Sequence, residues 1–229
     1  MQAEKNLTEA LREAALAVST AEGASALDDL VSALARILDV EYALVSVYVE
    51  PERRLLRTLA TFADGRLAAS VQYPLAGTPC EFAIGRTFGY YERGVARQFP
   101  HDQLLIEQGV EGYAATTLHD VLGAPIGALT VMSRGPLHDP ELVESMLKIF
   151  AARIGAEIER RRSAESYRAI FDSAETAIFV LDFDNGAIVD ANPKACAMYG
   201  YSCEELRHLS AQDLSSGHAP FTAAEARRH

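Results

Sequence analysis

Thr78-Pro79-Cys80-Glu81 places a thiol next to a carboxylate, just behind a residue suited to opening a helix. A threonine hydroxyl can accept from the amide three residues on, while a glutamate there reaches back to the threonine amide. Pro79 then falls at the first helical position, where its missing N–H costs nothing. The expectation is a short helix opened by a capping box. Cys80 would lie in its first turn, where free amides and the helix dipole favour thiolate and make a solvent-reached thiol reactive. Glu81 opposes that charge, and no histidine adjoins. Two readings stay open: a capped helix with an inert thiol, and a thiol redox sensor or enzyme using Cys80. No second cysteine lies within residues 1–160 to act as a resolving partner, which weakens the second reading.

Other candidate chemistry is sparse. His101-Asp102 precedes a helix expected over Gln103 to Gln108, and either residue can cap it. His101, His119 and His138 lack any haem-attachment pattern. The chain has no phosphate-binding G-x-x-x-x-G-K-S/T loop, no H-E-x-x-H and no nucleophile elbow. Sensor-kinase phosphoacceptor and ATP-binding boxes and a G-G-D-E-F loop are also missing. No catalytic residue and no metal ligand are assigned, and the cofactor stays unknown.

These residues need a scaffold, and hydrophobic periodicity supplies one. Leu7, Leu11, Ala14 and Val18 mark a helix seam at steps of four, three and four. It fits both a helix packed on its own domain and a dimer seam. Leu27 to Leu38 carries a broad apolar stripe typical of a core-facing helix. Strands are expected over Tyr42 to Val49, Leu55 to Phe62, Leu67 to Tyr73, Thr116 to Leu118 and Ile126 to Met132. The turns between neighbouring strands are short, which implies an antiparallel sheet. After Asp139-Pro140 a long helix is expected, with Val143, Leu147, Phe150, Ile154 and Ile158 as its apolar line. Uninterrupted over residues 141–171, it would run about 45 Å.

Composition narrows the class. The 229 residues carry a net charge of −11, which disfavours nonspecific attraction to nucleic acid or anionic membranes. No apolar run approaches the length of a membrane span, and no secretory signal follows Met1. Cys80, Cys196 and Cys203 are odd in number and form no C-x-x-C, which favours a reducing compartment. A cytoplasmic protein is expected.

Residues 74–130 carry the most specific pattern. Pro74-Leu75-Ala76-Gly77-Thr78-Pro79-Cys80-Glu81 is followed by Phe99-Pro100-His101-Asp102, then by Gly112-Tyr113 through Asp120, Gly123, Ile126, Gly127 and Leu129. This stretch resembles the GAF domains of bacterial signalling proteins. The resemblance implies a sheet flanked by helices, with a small-molecule cavity bracketed by aromatics. The candidate cavity residues are Phe62, Tyr73, Cys80, Glu81, Phe88, Tyr90, Tyr113 and Thr116. Many relatives read S-Y-x-G-x-P-L where this chain has Gly112 to Leu118, so Ala115 stands for the glycine and Thr117 for the proline. The cyclic-nucleotide and bilin signatures of the family are not recognisable, which makes those two ligands less favoured.

Ser166 to Phe171, Phe179 to Asp182, Asp184-Asn185-Gly186, Ile188 to Asn192 and Gly200-Tyr201 through Leu206 resemble the start of a PAS domain. Two strands cannot bury a complete core, so a piece of a longer protein is expected, with any catalytic output beyond His229. The expected class is α+β: an N-terminal helix (1–22), a GAF-like domain (23–160) ending in the long helix, and a truncated PAS-like α/β segment (161–229). The expected role is a non-catalytic sensory module that binds an unidentified small molecule and relays through the 139–171 helix. Homodimerisation is expected through Leu7, Leu11, Val18 and the Val143–Ile158 line. The alternative is a ligand-free dimerising spacer.

Overall fold

The computed structural model describes residues 2–49, 52–84 and 88–214. By compactness the chain divides into two units, Met1–Arg160 and Arg161–His229. Among the described residues no helix is long and apolar enough to cross a membrane.

The first unit opens with helices α1 (Gln2–Thr20) and α2 (Ala26–Leu38). Strands β1 (Tyr42–Val49), β2 (Leu55–Ala63), β3 (Arg66–Leu67) and β4 (Gln72–Pro74) follow. Next come helix α3 (Pro79–Ile84), strand β5 (Phe88–Tyr91) and helices α4 (Val95–Gln98) and α5 (Gln103–Glu107). Strands β6 (Gly112–His119) and β7 (Pro125–Ser133) lead into helix α6 (Pro140–Ser173). The sheet order is β3-β2-β1-β7-β6-β5, with β4 also paired to β2. All of these pairs are antiparallel.

Strand alternation builds two cores, one on each face of this sheet. Ala43, Val45 and Val47 of β1, Ala114 and Leu118 of β6, and Leu129 and Val131 of β7 pack with α1, α2 and α6. Their sequence neighbours Tyr42, Leu44, Tyr113, Ala115 and Met132 pack with α3, α4 and α5 on the opposite face. Gly127 is obligatory for the central pairing, because a Cβ there would lie 1.9 Å from the Ser46 carbonyl oxygen. Helix α6 comes close to the end of β6, and a Cβ on Gly155 would lie 2.8 Å from the His119 carbonyl oxygen.

The α6 line Val143, Leu147, Phe150, Ile154 and Ile158 is buried within the first unit's own core. Its assignment to a dimer seam is therefore corrected: these side chains are already spent on the sheet. On α1, Ala14 is buried and Val18 packs against the same core, while Leu7 and Leu11 remain exposed. The strand expected over Leu67 to Tyr73 is divided into β3 and β4. Between them the Thr58 side chain accepts from the Val71 amide and the Thr58 carbonyl accepts from Ser70 Oγ. These side-chain bonds supplement the backbone bonds from the Thr58 amide to the Val71 carbonyl and from the Ala68 amide to the Thr61 carbonyl.

In the second unit, β8 (Phe179–Leu181) and β9 (Ile188–Ala191) form an antiparallel pair. Helices α7 (Pro193–Tyr199) and α8 (Cys203–Leu206) follow. Asn192, fully buried at the strand–helix corner, caps α7 by accepting from the Ala195 amide. Ser202 and Glu205 form a reciprocal capping box on α8. Among the described residues the buried core cluster is small, comprising Ile188, Ala191, Ala195 and Leu206. Large apolar side chains such as Phe183 and Ile170 stay exposed, as an incomplete PAS-like segment requires. The part of this segment beyond residue 214 lies outside the described residues.

Cys196 and Cys203 are joined by a disulfide, which leaves Cys80 as the free thiol. Gly200, in left-handed conformation at the end of α7, turns the chain so that the two Cα atoms come within 5.5 Å.

Candidate ligand-binding site

A cavity of about 270 Å³ lies on the sheet face opposite α1, α2 and α6. Leu44 of β1, Tyr113 of β6, and Thr130 and Met132 of β7 contribute its floor. Strand register brings these together, since Leu44 pairs with Thr130 and Tyr113 with Met132. The segment Tyr73 to Cys80 forms one wall and His101 to Leu105 another.

Local structure explains both walls. Asp102 caps α5 by accepting from the Leu105 amide at 3.5 Å. The far end of α5 is tied to the sheet, where the Tyr42 hydroxyl donates to Gln108 Oε1 at 2.8 Å and Arg134 Nε donates to the Gln108 carbonyl at 3.1 Å. Arg134 also pairs with Asp64 at 2.6 Å, so the ends of β2 and β7 share this clamp.

The other wall departs from the expected capping box. Thr78 Oγ1 donates to the Leu75 carbonyl at 2.7 Å, and Glu81 Oε2 accepts from the Gly77 amide at 2.9 Å. The preceding turn thus takes both side chains that the box would have used. Pro79 still opens the helix and sends Cys80 inward.

Cys80 heads a cluster of uncharged donors and acceptors. Its sulfur lies 3.1 Å from the Tyr113 hydroxyl and 3.8 Å from both the Tyr73 hydroxyl and Thr130 Oγ1. The Tyr73 hydroxyl also shares a 2.7 Å hydrogen bond with Ser46 Oγ. Burial pushes the Cys80 thiol up, against hydrogen bonds from Tyr113, Tyr73 and Thr130 that favour its thiolate. Burial and then the neighbouring Cys80 push the Tyr73 and Tyr113 phenols well up. This is the reverse of an activated thiol, and it removes the physical basis for Cys80 as an exposed nucleophile.

Of the eight candidate residues, Tyr73, Cys80 and Tyr113 meet at the cavity. Phe62, Phe88 and Tyr90 pack against the helix-side core instead. Thr116 shares the parity of Ala114 and Leu118 and so also faces that side. Glu81 is exposed and held by Gly77. Those five are withdrawn from the site. Leu44, Thr130 and Met132 were missed, although Thr130 is a hydroxyl set inside the apolar run Ile126 to Met132, a signal that period-two counting could have used. Asp102 was read only as a cap. It also lines the cavity, and burial raises its carboxyl while the Leu105 and Leu104 amides oppose that rise.

Among the described residues no group of three or more His, Cys, Asp or Glu could hold a metal ion.

Residues 165–228 match the PAS domain family. The chain is also similar to the GAF domain of an Acinetobacter phosphoenolpyruvate-protein phosphotransferase, at 15% identity and a TM-score of 0.55. That match covers 70% of this chain and 97% of the other. The chromophore-binding domain of a bacteriophytochrome from R. palustris matches at 12% identity and a TM-score of 0.55, over 69% of this chain and 62% of that one. The chromophore-binding domain of Stigmatella aurantiaca phytochrome P1 matches at 12% identity and a TM-score of 0.51, over 66% and 59%. The chain thus spans about 60% of the length of these phytochrome chains. No curated protein matches the chain. At such identities the likeness shows the fold, a GAF-like unit followed by a partial PAS domain.

Proposed function

We propose that this chain is a non-catalytic sensory module that binds a small molecule in the cavity and passes the event to α6. The observation that carries this reading is the two-faced sheet. Leu44, Thr130 and Met132 line the cavity, while their sequence neighbours Ala43, Val45, Leu129 and Val131 pack in the core that holds Phe150 and Ile154 of α6. A ligand that shifts β1 or β7 must therefore press on α6, and the response is bounded by the ligand's differential affinity for the two arrangements.

Native mass spectrometry of the purified chain tests the first half of this reading. A native mass exceeding the denatured mass by one small organic molecule supports it. Equal masses, together with α6 amide exchange that no added small molecule changes, would favour the ligand-free spacer. The buried, pushed-up thiol weighs against the alternative built on Cys80.

The reading includes a cytoplasmic homodimer. Its support is the exposed Leu7 and Leu11 on α1, one turn apart on the same face. Light scattering of wild type and of a Leu7→Glu/Leu11→Glu variant checks it. A mass of one chain for the wild type at high concentration counts against it. In a reducing cytoplasm, Cys196 and Cys203 would rest as two thiols.

A further inference from the structure

Two chemically different groups line the cavity. In the first, Ser46, Tyr73, Cys80, Tyr113 and Thr130 form a chain of hydroxyl and thiol contacts. Each of these groups can both donate and accept, and none carries a charge. Burial keeps the thiol and both phenols in their neutral forms. A ligand hydroxyl can join this chain, whereas a ligand charge would exchange its water for neutral dipoles alone.

The second is Asp102, on the α5 wall. Its carboxylate is met by the Leu105 amide at 3.5 Å and by the neighbouring Leu104 amide, and its negative charge is felt by Cys80 and Tyr73. The lining contains no lysine or arginine and one histidine, the exposed His101, and among the described residues no basic side chain forms an ion pair with Asp102. An organic cation supplies the counter-charge that the half-buried carboxylate lacks, while an anion meets like charge. Leu44, Leu105 and Met132 add apolar surface to the lining. Filled to the density of a protein interior, about 270 Å³ holds roughly ten to thirteen non-hydrogen atoms.

We propose that the cavity selects a small organic ammonium with an uncharged hydroxyl at its far end, the ammonium at Asp102 and the hydroxyl at the Thr130–Tyr113–Cys80 cluster. This rests on the small-molecule reading above and adds the ligand's class and orientation.

Three probes sharing one phenol body test it by calorimetry on the full chain at pH 7: tyramine, 4-ethylphenol and 4-hydroxyphenylacetate. Tyramine is expected to bind at least tenfold more tightly than 4-ethylphenol, and 4-hydroxyphenylacetate more weakly than either. Asp102→Asn keeps a good helix cap and is expected to bring tyramine to within twofold of 4-ethylphenol. Thr130→Val is expected to weaken tyramine and 4-ethylphenol, the two phenols compared for affinity, alike. If 4-ethylphenol binds as well as tyramine, or the Asn variant keeps tyramine's advantage, the assignment is overturned while the pocket reading stands. If the Val variant leaves both phenols unaffected, the proposed orientation falls. If none of the three binds, the assignment is overturned, and the pocket reading is decided by the native mass alone.

Discussion

The Cys80 thiol and the Tyr113 hydroxyl, 33 residues apart in sequence, meet at 3.1 Å with both side chains buried. The contact ties the start of α3 to β6 and so fixes the wall of the cavity to its floor. The thiol's place in a first helical turn suggested reactivity, and its burial produces the opposite. Desolvation outweighs the three hydrogen bonds that favour thiolate.

Alkylation follows from that balance. Iodoacetamide should label Cys80 in the folded chain at least tenfold more slowly at pH 7.5 than in the urea-unfolded chain, read by peptide mass spectrometry. A folded-state rate equal to the unfolded one would show the thiol to be open to solvent.

The same groups set an alkaline limit on stability. Cys80, Tyr73 and Tyr113 all titrate higher in the fold than in the unfolded chain. Their contribution is therefore complete below their ordinary values, about 8.5 for a thiol and 10 for a phenol, and is lost as pH rises through the folded values. Melting temperature should fall between pH 8.5 and 10.5, and Tyr113→Phe should lessen that fall. An unchanged pH slope in the variant would refute the linkage at Tyr113.

Asn192 organises the second unit. Its Oδ1 accepts from the Ile178 and Ala195 amides, both at 2.9 Å, and its Nδ2 donates to the Phe171 and Thr176 carbonyls at 3.1 and 3.0 Å. Asn192→Ala leaves these buried backbone groups without that partner, at a cost of about 3 kcal/mol. Among the described residues the buried cluster here holds four apolar side chains, so amide exchange in β8, β9 and α7 should rise to that of an unfolded segment. Retained protection would show that the corner does not depend on this side chain.

What was legible in the sequence depended on how local the signal was. β1 and β7 are continuous β-rich runs, and Asn192 and Gly200 act within a few residues of themselves, so these features were readable. Facing was harder. Phe88 and Tyr90 sit in a four-residue strand with a glycine, too short to announce its alternation, and they fall on the helix side. The α6 line looked like a seam because periodicity shows a buried face without naming what buries it. Thr78 carried a correct helix-start signal, yet a carbonyl three residues back captured its hydroxyl.

Gly155 sets two effects against each other. Alanine in a helix interior gains about 1 kcal/mol over glycine. Here the added Cβ would lie 2.8 Å from the His119 carbonyl oxygen, a backbone atom that cannot rotate away, and such overpacking costs about 1–3 kcal/mol. The clash wins, so Gly155→Ala should lower stability by about 1 kcal/mol in urea titration. A stabilised variant would mean that α6 does not approach β6 this closely.

Arg153 carries the attachment of α1. From α6, its Nε donates to the Val18 carbonyl at 3.2 Å, and a second guanidinium nitrogen donates to the Ala21 carbonyl. Glu157, buried beside it, pairs with Arg153 at 3.7 Å and with Arg160 at 2.8 Å. Arg153→Met keeps much of the apolar stem and leaves Glu157 paired through Arg160, but it frees the carbonyls at the end of α1. Amide exchange in the last two turns of α1 should quicken about tenfold while the buried α6 amides hold. Arg160→Met touches neither carbonyl and should leave α1 unchanged. If the two variants behave alike at α1, the helix is held by Ala14 and Val18 packing alone, and the guanidinium clamp contributes nothing to it.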